Sequence, residues 1–293
     1  MEEEIRKFIG YLETERGMTA NTMDAYARDL RQYADFLSNH GLCGFSEAGE
    51  TTVMTYLLSL QSQMKSPATI ARQLSSIRGL YQYLLNFGNL QRDPTLKIES
   101  PKGRKKIPVV PSVKEIEVLI SQPDCKSGIG IRDRAMLELL YATGIRVTEL
   151  TSLNVEDVRL DLGYIRCKNR SGTRIVPLGA MARQALGEYL AHRAKQEVTE
   201  TERALFLNYS GGRLTRQGFW KILKQHTKEA NLEKPITPQT LRHSFATHLV
   251  ENGADLKVVQ EMMGHSVIAS TQFYIQVSEE NKKEVYLKSH PRA

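Results

Sequence analysis

Cysteine is scarce and scattered in this 293-residue chain, at Cys43, Cys125 and Cys167. An odd count at such spacings supports neither a disulfide framework nor a CxxC metal pair, and it fits a reducing interior. Long apolar runs are missing too. No stretch approaches the roughly 18 consecutive apolar residues that a membrane span needs. The opening MEEEIRKFIG is acidic and holds no signal-peptide core, so a cytoplasmic setting is expected rather than export. There is no internal repeat and no low-complexity tract. No clustered carboxylates and no Cys/His ligand spacing suggest a metal, so no cofactor is expected.

What is present is an ordinary globular composition on a basic chain. Hydrophobic residues make up 41% and charged residues 25%. The length exceeds what one core usually serves, which predicts two domains. Net charge is +7, but it is unevenly spread. Residues 1–100 hold 10 Lys/Arg against 12 Asp/Glu, and residues 101–293 hold 30 against 21. The second part therefore carries the positive field, as a nucleic-acid partner would require.

Helical periods dominate residues 2–87. Met23, Tyr26, Leu30, Tyr33 and Leu37 form one stripe behind an N-cap at Thr19. Ile70, Leu74, Ile77, Tyr81 and Leu84 form another. The opposite face of that second helix shows Thr69, Arg72, Ser76 and Arg78, which read either as a solvated face or as one turned toward DNA. Helices over about 2–15 and 51–63 complete a four-helix unit, residues 1–91. Residues 92–111 hold Pro94, Pro101, Pro108 and Pro111, which oppose helix. They predict a linker. Within it Lys102, Arg104, Lys105 and Lys106 form a charge run that could follow a phosphate backbone.

The third part, 112–293, opens on Ser112 with Glu115 at the capping-box position. A long apolar helix over about 129–143 ends at Gly144. Two strands, 164–167 and 173–178, flank a polar turn. Helices follow over about 180–195, 215–229, 238–252, 255–263 and 268–274. The class is mainly α with a small β-ribbon.

Three local clusters carry chemistry. ATGIRVTEL places Arg146 just past a helix-ending glycine, with Glu149 three residues on. TPQTLRHSFATHL puts Arg242 and His243 beside the apolar Leu241, Phe245 and Leu249, near a helix start where N–H groups and a guanidinium both favour an anion. MGHS places His265 nine residues before Tyr274. Each alone has a bland reading as a surface pair, a packed histidine or a core tyrosine.

In order along the chain, ATGIRVTEL, RIVPL, TLRHSFATHLVENGADLKVVQEMMGHS and a following tyrosine strongly resemble the tyrosine recombinases of the phage integrase family. The nearest match is to the Xer-type site-specific recombinases. The resemblance covers nearly the whole chain, including NTMDAYARDL and the final HPRA. It implies an N-terminal four-helix SAM-like DNA-binding domain and a C-terminal catalytic domain. Arg146 and Arg242 resemble the two phosphate-binding arginines, Lys168 the β-hairpin lysine, His265 the histidine that hydrogen-bonds the phosphate, and Tyr274 the nucleophile. Glu149 and His243 would support them, and Arg170 would touch DNA. The implied partner is double-stranded DNA, bound as a dimer per site and a tetramer in synapse, or as a hetero-tetramer with a second recombinase. Val277–Leu287 would pack onto a neighbouring subunit. No membrane is involved. Chromosome-dimer resolution and mobile-element integration or excision fit this scaffold equally.

The chemistry agrees with those roles. A phosphodiester exchange needs a nucleophile, charge stabilisation and a proton for the leaving 5′-oxygen. A tyrosyl ester conserves bond energy for rejoining. Two guanidiniums neutralise the phosphorane, and a lysine beside other cations suits a general acid. No metal is required. Two departures from the family pattern stand out. Gln239 occupies the position of the usual histidine, and an amide can donate to phosphate but cannot act as a base. Counting back without a gap from Arg174 puts Asn169 at the hairpin-lysine position, with Lys168 one residue away; Arg170 is too basic to give up a proton. The competing activities are a type IB topoisomerase-like nicking and closing enzyme, and a DNA-binding relative with weakened catalysis.

Overall fold

The computed structural model describes residues 1–88, 90–101, 110–169, 172–195 and 202–264. The chain divides into two compact units, Met1–Lys106 and Ile107–Ala293, so the division falls inside the proline-rich 92–111 segment.

Four helices pack on one core in the first unit: α1 (Glu2–Thr14), α2 (Ala20–Asn39), α3 (Glu50–Ser62) and α4 (Pro67–Phe87). Leu30, Tyr33 and Leu37 of α2 and Ile70, Leu74, Ile77, Tyr81 and Leu84 of α4 are buried, as their spacing predicts. Thr19 caps α2 by accepting from the Thr22 N–H. Ser66 caps α4 by accepting from the Thr69 N–H, ahead of a proline at the first helical position. One expectation is corrected. Ser76 is buried, not solvent- or DNA-facing, because its hydroxyl turns back on the Gln73 carbonyl at 2.8 Å.

The second unit contains α5 (Val113–Ile120), α6 (Gly128–Thr143), α7 (Val147–Ser152), β1 (Val158–Arg159), β2 (Tyr164–Asn169), β3 (Gly172–Pro177), α8 (Ala180–Arg193), α9 (Arg216–Glu229), α10 (Pro238–Glu251) and α11 (Leu256–Met263). Ser112 and Glu115 form the expected capping box. α6 is buried or half-buried on nearly all sides, with Ala135, Met136, Leu137, Leu139 and Leu140 all fully buried. α8 and α10 pack against it. The sheet is antiparallel in the order β1-β2-β3, and pairs Cys167 with Arg174 and Lys168 with Thr173. The ribbon thus has a third strand, too short at two residues to show alternation in sequence. The helix expected over 268–274 lies outside the described residues. Among the described residues, no helix is long and apolar enough to cross a membrane.

Candidate active site

α6 ends at Gly144 in the left-handed region, φ +58°. A Cβ there would sit 2.2 Å from Phe245 Cδ1, so glycine is required by both backbone and space. The turn delivers Arg146 to the N-cap of α7 and brings Glu149 beneath it. The Glu149 carboxylate accepts from the Arg146 backbone N–H at 2.7 Å. It also accepts from both terminal nitrogens of Arg174, at 2.5 and 2.9 Å, a bidentate pair. Arg146 Nη1 lies 3.6 Å from the same carboxylate. Burial by itself would raise the Glu149 pKa. The Arg174 hydrogen bonds, the Arg146 N–H and the two positive charges outweigh it and hold the carboxyl below its ordinary value.

Arg242 stands just past the first turn of α10 and is only 8% exposed. Its Nη1 donates to the Gly144 carbonyl at 2.5 Å and its Nη2 to the Met263 carbonyl at 2.6 Å. Both bonds fix a guanidinium that would otherwise be costly to bury. His243, next to it, is half-buried. Burial, then the charge of Arg242, lowers its pKa and favours the neutral ring.

α11 ends at Gly264, again left-handed at φ +62°. The carbonyls at a helix C-terminus have no partner within the helix. Here three arginines take three in succession: Arg174 Nε donates to Met262 at 2.9 Å, Arg242 to Met263, and Arg146 Nη2 to Gly264 at 3.2 Å. Residues from α7, β3 and α10 therefore meet at the turn immediately before His265.

The other expected residues fall elsewhere. Lys168 is 59% exposed and pairs with the buried Asp157 at 3.3 Å. Successive strand residues point to opposite faces. Ile165 and Cys167 are buried, with Arg174 opposite Cys167, whereas Arg166 and Lys168 face the other way. Lys168 is thus not grouped with the three arginines. Gln239 is exposed on the first turn of α10, three residues before Arg242. In the first unit Thr69 belongs to the α4 cap, its hydroxyl 2.9 Å from that of Ser66. Arg72 is paired with the buried Asp29. Arg78 donates to Ser100 Oγ at 3.0 Å and to the Ile98 carbonyl. Lys102, Arg104, Lys105, Lys106, Arg170, His265 and Tyr274 lie outside the described residues.

Two features escape the sequence reading. Arg174 was visible only as the first residue of RIVPL. Its pairing with Glu149, 25 positions earlier, is tertiary. The other is α9, which buries Phe219, Leu223 and His226 and exposes Arg216, Trp220, Lys221, Lys224 and Lys228. The four-residue spacing of 216, 220, 224 and 228 was the signal available.

Comparison with known proteins matches residues 112–281 to the phage integrase family and residues 5–88 to the phage integrase N-terminal SAM-like domain. The chain belongs to this family and is a tyrosine recombinase, an enzyme of site-specific DNA recombination. It is 46% identical to the tyrosine recombinase XerD of Oceanobacillus iheyensis, over 100% of both chains. It is 43% identical to the XerD of Listeria monocytogenes serotype 4b, again over 100% of both. Among solved structures its fold resembles the XerH site-specific recombinase bound to palindromic difH substrate in a post-cleavage complex. That match has a TM-score of 0.80 at 22% identity and covers 97% of this chain and 84% of that one. It also resembles a lambda integrase dimer bound to a COC′ core site, with a TM-score of 0.74 at 16% identity, covering 94% of each chain.

Proposed function

We propose that this chain cuts and rejoins one strand of a DNA duplex at a time through Tyr274, and that paired exchanges pass through a Holliday junction. The Tyr274 oxygen attacks the scissile phosphorus. The bond to the 5′-oxygen breaks, leaving a 3′-phosphotyrosyl ester and a free 5′-hydroxyl that has taken up a proton. Attack by the 5′-hydroxyl of a partner strand reverses the step. Arg146 and Arg242 hold the non-bridging oxygens, and His265 and the Gln239 amide add hydrogen bonds. The observation that carries this reading is the convergence of Arg146 and Arg242, from separate elements, on the backbone just before His265. The exposed cations of α9 and the 102–106 run supply phosphate contacts along the duplex. Protomers act as a dimer on each site and a tetramer in synapse, with copies of themselves or a second recombinase. Dimer resolution and element movement both use this cycle.

The test is a nicked suicide duplex carrying a core sequence recovered from a randomised pool by binding. Wild-type protein gives a covalent adduct on a denaturing gel. Tyr274→Phe retains binding and gives none; an adduct with that variant would overturn the nucleophile assignment. Relaxation of supercoils without any exchange would point to a nicking and closing enzyme.

Two observations favour a second reading, a DNA-binding relative with weak cleavage. Lys168 is tied to Asp157 on the sheet face away from Arg174, and glutamine stands at position 239. A 5′-bridging phosphorothioate leaves without protonation. If Lys168 is the acid, Lys168→Ala loses rate on ordinary DNA and regains it on the sulfur substrate. Equal ratios on both substrates would remove Lys168 from the mechanism and support the weaker enzyme.

A further inference from the structure

We infer that Arg174 is a positioning residue for strand cleavage. It fixes the turn that ends α11, and with it the starting point of the chain that continues to His265. The inference rests on the reading of Arg146 and Arg242 as phosphate ligands.

Arg174 is 13% exposed, and its three nitrogens are all engaged. Two grip Glu149 and the third holds the Met262 carbonyl. The guanidinium also lies flat against the backbone of the turn. A Cβ on Gly264 would come within 3.1 Å of Arg174 Cζ and Nη1, at a φ of +62° that already disfavours a side chain. One side chain therefore joins the hairpin, the carboxylate under Arg146 and the last turn of α11.

The other two arginines cannot serve as the fixed point in the same way. Arg146 is 43% exposed, and its bond to Gly264 is the longest of the three at 3.2 Å. A bound phosphate competes for its donors, because a guanidinium exchanges a carbonyl for an anion at a gain. Arg242 gives one terminal nitrogen to Gly144 and the other to Met263, so it ties the end of α6 to α11 and holds neither Glu149 nor Met262. Arg174, far less exposed than Arg146, keeps Met262 and Glu149 in place whichever partners Arg146 adopts. Substitution by lysine retains the charge opposite Glu149, so the fold should survive. A single ammonium cannot span both carboxylate oxygens and the Met262 carbonyl in one plane.

The experiment uses the full chain as Arg174→Lys, as Gly264→Ala and as the double variant. Hydrogen exchange of the peptide ending in the last turn of α11 should quicken by about tenfold or more, with α6 and α10 unchanged. Single-turnover adduct formation at saturating duplex should fall by about 10²-fold, since a displacement near 1 Å costs that much, while Kd for the duplex stays within about threefold. The double variant should lose no more than the worse single one, because both changes release the same turn. Unchanged exchange in α11, or an adduct rate near that of the wild type, would overturn the assignment. So would a rate loss that tracks Kd, or one that disappears at a temperature where the variant is fully folded. A wild-type protein that forms no adduct would sink the strand-cleavage reading instead, and the exchange measurement alone then decides whether Arg174 holds the turn.

Discussion

The two units bury polar groups of opposite kinds. In the helical unit they are mostly neutral. Tyr33 and Tyr81 share a hydrogen bond at 3.0 Å, Tyr81 donates to the Phe45 carbonyl, Tyr56 donates to Gln73 Oε1 at 2.5 Å, and Gln73 passes the chain to Gln32. Burial raises the pKa of all three phenols, Tyr33 to about 12, so none ionises in the working range. In the catalytic unit many of them are charged: Glu149 and Arg242 are buried and Arg174 is nearly so, Arg174 bonded to Glu149 and both arginines held on the adjacent carbonyls of Met262 and Met263. A buried ion pair is weak evidence for stability, because desolvation can cancel the attraction. Neutral hydrogen bonds between the helices of one core read as structure. A charged network that opens onto the partly exposed Arg146 reads as function.

The comparison breaks most sharply at Arg242. Arg242→Lys should cut the rate of adduct formation by about 10²-fold or more, as loss of an oxyanion donor does, because lysine cannot reach two carbonyls and a phosphate as one plane. Single-turnover assays at saturating duplex measure this directly. A near-normal rate would make Arg242 a structural residue like those of the first unit.

Glu149→Ala comes next. It removes one partner of a buried pair and leaves Arg174 without its carboxylate, a change worth about 3 kcal/mol of stability. Denaturant titration should find the loss in the Ile107–Ala293 unit. A loss under about 1 kcal/mol, the range of an exposed ion pair, would mean that solvent already screens this site.

Tyr56→Phe supplies the control from the neutral side. It leaves Gln73 Oε1 short of a donor, at a cost of about 1–2 kcal/mol. DNA cleavage per folded molecule should not change. A cleavage defect in this variant would show that the tyrosine network does more than hold helices together.

How far the sequence could be read follows the same division. α2 and α4 were legible because their stripes are long and their caps local, at Thr19 and Ser66. Ser112 with Glu115, and Gly144, marked the entry and exit of helices by chemistry that acts over three or four residues. The reading failed where the cause is distant or short. β1 has two residues and α7 six, too few to show a period. Arg72 and Arg78 looked like an open basic face because Asp29 and Ile98, their partners, sit 43 and 20 positions away. Lys168 was the nearest lysine in sequence, but one residue of strand phase decides which face it takes. Local pattern singled out Arg146 and Arg242 as candidates. That both close on the end of α11 needed the fold.

The smallest effect tests whether charge buried away from the site behaves as charge within it. His226 on α9 lies between two carboxylates, with Nε2 3.2 Å from Asp133 Oδ2 and Nδ1 2.7 Å from Glu229 Oε2. The hydrogen bond to Asp133 raises its pKa, burial opposes this, and Glu229 adds to the rise, so the folded value lies above 6.5. The protonated form is then favoured by folding. Its contribution is fully present below the unfolded pKa of 6.5 and fades as pH rises through the raised folded value. Glu149 has the opposite slope. Its lowered carboxyl pKa contributes above 4.5 and is lost as pH falls through the folded value. His226→Gln should therefore be less stable than the wild type by about 1 kcal/mol near pH 5.5, a modest charge-assisted hydrogen bond. The gap should narrow steadily in denaturant titrations carried above pH 8, with adduct formation unaffected throughout. A gap that stays constant with pH would mean that His226 is held as the neutral ring, and that the charged core of this unit is confined to the arginine cluster.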